Sequence, residues 1–249
     1  MSQRIIIVGA SSGIGRSVAL DFARLGWKVG IAARRELLLK EIADSVPGQI
    51  VYKAIDVTAD NADELFKELI AETGGMDFLL FASGIGYLDA NLDSRNVIST
   101  LRVNVEGYSR ILVAAYKYFK ENNSDEHRGQ ICAITSVAGT RGIGVSAAYS
   151  ASKSYGQTFI DALEQLAITQ NVNVGFTDIR PGFIRTALLD PNRKYPLEME
   201  LDYAVKKIER AILRRKRVSY IDARWGAAVA LWRCLPQWIW RRIKLTNRI

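Results

Sequence analysis

The run Ile5-Ile6-Ile7-Val8-Gly9-Ala10-Ser11-Ser12-Gly13-Ile14-Gly15 decides how this chain folds. Its first four residues are β-branched with no polar alternation, the pattern of a strand covered on both faces of a sheet. From Ser17 to Leu25 the apolar residues switch to helical spacing. Between the two lies a connector with three glycines. Glycine permits a tight turn and close backbone approach, and the helix start adds free N–H groups and the positive end of the helix dipole. Strand, glycine-rich turn and helix together make a phosphate cradle, the context in which such a motif signals a dinucleotide. Gly9, Ser11, Ser12, Gly13, Ile14 and Gly15 are its candidate residues.

The alternation continues outward. Strands are predicted at 28–33, 49–55, 76–81, 130–135, 173–178 and 218–221, and helices at 36–45, 59–72, within 93–120, and at 147–169. This order predicts an α/β fold: a single Rossmann-type, doubly wound parallel sheet of about seven strands with helices on both faces and a C-terminal helical extension. Residues 1–222 would form the catalytic domain and residues 223–249 a basic, Trp-rich extension of it. Ligands are expected beyond the carboxyl ends of the strands.

The end of the second strand speaks to cofactor choice. An acid there holds the ribose 2′-hydroxyl of NAD, whereas an arginine suits the 2′-phosphate of NADP. The chain reads Ile31-Ala32-Ala33-Arg34-Arg35, with no acid. Arg34 is expected to bind the phosphate and Arg35 to assist by charge or by stacking, so NADP(H) is favoured over NAD(H).

Composition excludes other classes. The 249 residues, 49% hydrophobic, can bury one large core. No secretion signal is expected after Met1, and the apolar run from Trp225 to Trp232 is far short of the roughly 20 residues of a spanning helix. Cys132 and Cys234 have no metal-type spacing, which fits a reducing cytoplasm and no metal site. The single histidine, His127, lies in a polar stretch and reads as a loop residue, which speaks against a Ser-His-Asp hydrolase. The net charge of +8 is uneven: residues 206–249 hold thirteen Lys or Arg and two Asp or Glu.

Tyr149-Ser150-Ala151-Ser152-Lys153 sets a phenol and an ammonium one turn apart on a predicted helix. A neighbouring cation favours the phenolate, so Lys153 is expected to lower the tyrosine pKa from about 10 toward neutrality. Such a phenol could exchange a proton with a substrate oxygen. Taken alone, the spacing fits a packed ring and a solvated lysine equally well.

As an ordered set, these residues resemble the short-chain dehydrogenase/reductase family over nearly the whole chain to about Asp222. Gly9, Gly13 and Gly15 match its glycine motif, Asp56 with Val57 the adenine contact, and Asn104 in Leu101-Arg102-Val103-Asn104 the helix asparagine. Ser136 in Ile134-Thr135-Ser136-Val137-Ala138-Gly139 matches the catalytic serine, with Tyr149 and Lys153 at the family's usual separation. Ala82, Ser83 and Gly84 follow the fourth strand, and Pro181, Gly182, Ile184 and Thr186 match the segment that closes over the nicotinamide. Two departures stand out: Val8 replaces the usual Thr, and Phe81-Ala82-Ser83-Gly84 replaces Asn-Asn-Ala-Gly, which puts local strand bonding in question.

The resemblance implies hydride transfer between NADP(H) and a carbonyl or alcohol. Tyr149 would exchange the proton, Lys153 would tune it and bind the nicotinamide ribose, Ser136 would orient the substrate oxygen, and Asn104 would hold a water linking Lys153 to solvent. It also implies a homodimer or homotetramer. The alternative is a cofactor-binding scaffold or sensor without efficient turnover, possibly attached to a membrane surface.

Segments 84–88, 138–145 and 187–199 are expected to face the substrate. Ile85, Tyr87, Leu88, Ile143, Val145, Leu188, Leu189, Tyr195, Leu197 and Met199 make them apolar, which suits a hydrophobic ketone or aldehyde. Arg141 is the exception, read as a solvated loop charge or a contact for an acidic group. Beyond Asp222, tryptophans and isoleucines alternate with arginines and lysines and no acid occurs, with Pro236 dividing two helical pieces. Such a tail either packs on the protein or a partner subunit, or meets the inner face of a membrane. Nucleic acid is a weaker partner, supported by charge alone.

Overall fold

The computed structural model describes residues 2–122, 124 and 128–243, and in it the apolar runs form one seven-stranded parallel sheet. His127, Lys244 and Arg248 lie outside the described residues. β1 (Arg4–Val8), β2 (Lys28–Ala33) and β3 (Ile50–Ala54) step outward, crossing over through α1 (Gly13–Arg24) and α2 (Glu36–Ser45). After α3 (Ala62–Thr73) the chain returns to the other side of β1 as β4 (Phe78–Phe81). β5 (Gly129–Ile134), β6 (Val174–Pro181) and β7 (Val218–Ile221) complete the order β3-β2-β1-β4-β5-β6-β7. The reversal of winding between β1 and β4 opens a crevice at their carboxyl ends.

Period-two alternation divides β1 between the two faces. Ile5 and Ile7 enter one apolar cluster with α1 and α2, while Ile6 and Val8 enter the other with α3. Val8 pairs with both Ala32 and Phe81, so Gly9 and Ala82 leave the sheet side by side. The polar groups missing at Val8 and Phe81-Ala82 are replaced by main chain: Ala82 N donates to Val8 O at 2.7 Å and Gly9 N to Ala32 O at 2.7 Å.

The long helix expected within 93–120 is three segments: α4 (Ser94–Leu101), a π-helical turn at Arg102–Gly107, and α5 (Tyr108–Glu121). A 3.6-residue periodicity does not register the wider turn. α6 (Ala147–Thr169) follows two short 3₁₀ turns, Val137–Thr140 and Gly144–Ser146. α7 (Leu201–Leu213) was not anticipated, because basic residues crowd its second half. It buries Ala204, Val205, Ile208, Ala211 and Ile212 at helical spacing.

α8 (Ala223–Cys234) and α9 (Gln237–Trp240) form the extension, divided at Pro236 as expected. One side of α8 belongs to the core. Trp225 and Val229 are buried, and the Trp225 indole lies so close to Gly182 that a Cβ there would stand 2.1 Å from the ring. Trp232 Nε1 donates to Thr140 Oγ1 at 2.9 Å, and Trp240 Nε1 to Gly142 O at 2.8 Å.

Arg141 is half-buried and turns to the extension. Its Nη2 donates to the carbonyls of Trp232, Arg233 and Leu235 at 3.3, 3.0 and 2.7 Å, and its guanidinium lies 5.7 Å from the centre of the Trp240 ring. The last carbonyls of a helix have no partner within it and form the negative end of its dipole. Arg141 satisfies both needs for α8. Among the described residues, no helix is long and apolar enough to cross a membrane, and no group of side chains could hold a metal ion.

Truncating Trp225 to alanine removes a ring that joins the extension to the end of β6. We expect Trp225→Ala to destabilise the protein by about 3–5 kcal/mol, read as a lower urea midpoint.

Candidate active site

Backbone contacts fix the cradle. Gly9 has φ +94°, and a Cβ there would meet the Ser83 nitrogen at 2.4 Å. A Cβ on Gly15 would meet the Gly9 carbonyl oxygen at 2.4 Å. Only glycine fits either position. The Ser12 side chain makes no capping bond to α1, and the first turn, which includes Ile14, has no acid, so its N–H groups and dipole are left for an anion. Thr186 Cγ2 lies 3.6 Å from where a Cβ on Gly13 would stand, which brings the 181–186 segment to the cradle. Ile184 and Val57 are buried, so the backbone is what they offer a ligand.

The two arginines take different places. Arg35, expected only to assist, reaches the cradle: Nη2 donates to Ser11 Oγ and Ser12 Oγ, each at 2.8 Å. Arg34 instead acts on Asp56. Burial pushes that carboxyl up, but hydrogen bonds from Thr58 and the Arg34 charge hold it below the usual carboxylate range. A glycine-walled turn, an uncapped helix start and two cations at the β2 end fit the pyrophosphate and 2′-phosphate of a dinucleotide.

At the end of β5, the second half of the site converges. Ser136 Oγ donates to Pro181 O at 3.3 Å and accepts from Ala138 N at 3.1 Å. Tyr149 stands in the first turn of α6 and Lys153 one turn later. The Lys153 ammonium donates to Ile134 O at 3.0 Å and lies 5.6 Å from the centre of the Tyr149 ring. Burial pushes its pKa down to about 8, against the opposing charge of Asp178.

Tyr149 departs from expectation. Burial raises its phenol above the ordinary value, with the nearby Ser136 side chain working the other way. The cation was expected to dominate, but desolvation of the phenolate does. A phenol shifted in that direction is protonated at neutral pH.

Asn104, in the π turn, clamps the 84–86 loop. Its Oδ1 accepts from Ile85 N at 2.9 Å, and its Nδ2 donates to Ile85 O at 2.7 Å and Ser152 Oγ at 3.0 Å. Its side-chain amide is thus bonded to both the 84–86 loop and α6. The apolar wall also differs in part. Tyr195 and Met199 are buried, Tyr195 against Phe183 with ring centres 4.8 Å apart, while Tyr87, Leu88, Leu188 and Leu197 are exposed. A groove of about 710 Å³ lies between residues 139–147, the start of α6 and α9, and Tyr149 does not line it.

Sequence reasoning missed five supporting contacts, at Gln157, Asp178, Arg180, Thr135 and Gly86. Gln157 Nε2 donates to Ser136 O at 2.7 Å, and its signal was present, since 149, 153 and 157 share one helical face. Asp178 and Arg180 form a buried ion pair at 2.6 Å below the site, and Thr135 Oγ1 donates to Asp178 Oδ1 at 2.5 Å. Gly86 passes against the Tyr149 ring: a Cβ there would meet Cδ2 at 2.4 Å. The spacing Gly84-Ile85-Gly86 was its only trace.

We expect Gly86→Ala to displace the Tyr149 ring and lower kcat by about a hundredfold, the cost of a misplacement of about 1 Å. The unfolding midpoint should change little, which separates the effect from loss of fold.

Comparison with known proteins agrees with this geometry. The family profile described as short chain dehydrogenase matches residues 3–196. An uncharacterized oxidoreductase of Myxococcus xanthus is 33% identical over 222 residues, 86% of this chain and 85% of that protein. Hydroxysteroid 11-beta-dehydrogenase 1-like protein A of Xenopus laevis is 26% identical over 88% of this chain and 77% of its own length. Among solved structures, a short chain dehydrogenase from Burkholderia cenocepacia in complex with NADP superposes with a TM-score of 0.81 at 20% identity, covering 99% of this chain and 98% of that one. One from Sphingobium yanoikuyae in complex with NADPH gives 0.76 at 21% identity, with the same coverage. Fold, profile and relatives converge: the chain belongs to the short-chain dehydrogenase/reductase family and is an NAD(P)-dependent oxidoreductase.

Proposed function

We propose that the protein interconverts a hydrophobic ketone or aldehyde and its alcohol with NADP(H), using Tyr149 as acid and base. The observation that carries this reading is the convergence of Ser136, Tyr149 and Lys153 at the end of β5, beside a glycine cradle overlooked by Arg35. The NADP and NADPH bound in the Burkholderia and Sphingobium structures support the choice of cofactor.

Gly9, Gly13 and Gly15 would hold the pyrophosphate, Arg34 and Arg35 the 2′-phosphate, Asp56 and Val57 the adenine, and residues 82–84 and 181–186 the nicotinamide half. Bound there, NADP(H) supplies or accepts a hydride. The Ser136 hydroxyl orients the substrate oxygen toward Tyr149. In reduction, the neutral Tyr149 phenol gives its proton to that oxygen, and the nearby Lys153 ammonium stabilises the phenolate left behind. Asn104 supports them by fixing the loop that carries Gly86 against the Tyr149 ring. The same reading takes the protein as a cytoplasmic homodimer or homotetramer, with residues 1–222 as the catalytic unit and 223–249 as an extension of one domain.

Tyr149→Phe should abolish NADPH-dependent reduction of lipophilic carbonyls while NADPH binding survives; full turnover in that variant would end the mechanism. Arg34→Ala and Arg35→Ala should each weaken NADPH far more than NADH. Equal losses for the two cofactors would show that neither arginine reads the phosphate.

A further inference from the structure

α8 is apolar on two sides, and only one side has a partner. Trp225 and Val229 face the core, and Trp232 packs toward it. At helical spacing on the other side stand Ala227, Leu231 and Cys234, all exposed, with Leu231 at 73%. Beyond Pro236 the exposed apolar groups continue with Trp238 at 62% and Ile243 at 40%. Leu231 and Trp238 are thus both exposed, seven positions apart in the chain.

Charge favours one kind of partner over another. Arg233, Arg241 and Arg242 are exposed, and none has a carboxylate partner among the described residues. The sequence has no Asp or Glu beyond Asp222. The Arg242 guanidinium lies 5.5 Å from the centre of the exposed Trp238 ring. A second copy docking face to face would bring these uncompensated arginines together, at a cost in like-charge repulsion. An anionic lipid surface instead gives each cation a phosphate or carboxylate and takes the leucine and tryptophan into its interfacial region.

We propose that the outer side of α8, together with Trp238 and Ile243, docks the protein on an anionic bilayer surface. The packing described above makes this a preformed site. Arg141 caps α8, and the Trp232 and Trp240 hydrogen bonds fix the extension to residues 140–142, leaving Leu231 and Trp238 outward with no folding step required on binding. Docking depends on neither the cofactor nor catalysis.

The test uses the full chain labelled at Cys234 with an environment-sensitive maleimide. Cys234 is exposed, whereas Cys132 is buried with its thiol pushed up to about 12, so the label reports from the proposed face alone. At low salt the labelled protein should co-sediment with vesicles of phosphatidylcholine and phosphatidylserine with a blue-shifted emission, should bind phosphatidylcholine alone far less, and should be released by high salt. Replacing Arg233, Arg241 and Arg242 by Gln should weaken binding about a hundredfold, at about 1 kcal/mol per basic residue. Leu231→Ser with Trp238→Ser should remove the blue shift, and an unchanged unfolding midpoint would show that each variant remains folded. No binding to anionic vesicles at low salt, or equal binding by the variants, would overturn the proposal. So would sedimentation-velocity evidence that the Leu231→Ser/Trp238→Ser variant dissociates an oligomer, which would assign the face to a second copy.

Discussion

Lys153 must keep its ammonium in a place where only 8% of the residue meets solvent. Burying a cation without partners is costly, and buried charges persist only where hydrogen bonds and opposite charge meet them. Here the Ile134 carbonyl at the end of β5 accepts from Nζ, and Asp178 on β6 supplies the opposing charge. Both depend on the sheet. Residue 134 pairs with 179 in the parallel register, which places the last carbonyl of β5 and the Asp178 carboxylate on neighbouring strands beneath α6. The buried position of Lys153 is thus a consequence of strand register as much as of helix spacing.

That requirement propagates through small residues. Gly139 lets the first 3₁₀ turn close on α6, since a Cβ there would stand 2.7 Å from the Lys153 carbonyl carbon. Gln157, one turn beyond Lys153, returns to the Ser136 carbonyl and ties the serine to the helix that carries the tyrosine. Below them, Asp178 has its own supports in Thr135 and Arg180. Burial raises the Asp178 carboxyl, with the Arg180 charge and these hydrogen bonds pulling the other way. Removing one member of such a buried network leaves the rest uncompensated, so the charged layer beneath the site is coupled to the chemistry above it.

The sequence revealed what is local or periodic. β1, the glycine turn and α1 were legible because steric rules at Gly9 and Gly15 act over a few residues, and the βα alternation because burial imposes periodicity. Tyr149, Lys153 and Ser136 were legible as an ordered set. What could not be read depends on partners distant in sequence. Arg141 looked like a loose loop charge because the α8 carbonyls it caps lie more than ninety residues away. Asp178 and Arg180 ended a strand pattern with no sign that they pair with each other in the core. Arg34 reads as the leading phosphate ligand and Arg35 as its assistant, yet it is Arg35 that turns back to Ser11 and Ser12, a placement set by the β2 end. α7 was hidden by basic residues that decorate its solvent side. The extension offered two readings, core packing or membrane surface, and its inner side takes the first of them.

The account rests on a lysine that is buried yet charged in the pH range where the tyrosine is a neutral acid. Its most direct test is an NMR titration of the Lys153 ε-methylene in the wild-type protein, assigned by comparison with Lys153→Arg. The account predicts a midpoint near 8, set by burial against the Asp178 charge. A midpoint of about 5–6, as for a buried lysine whose charge is not compensated, would leave the amine neutral where the tyrosine works and would contradict it.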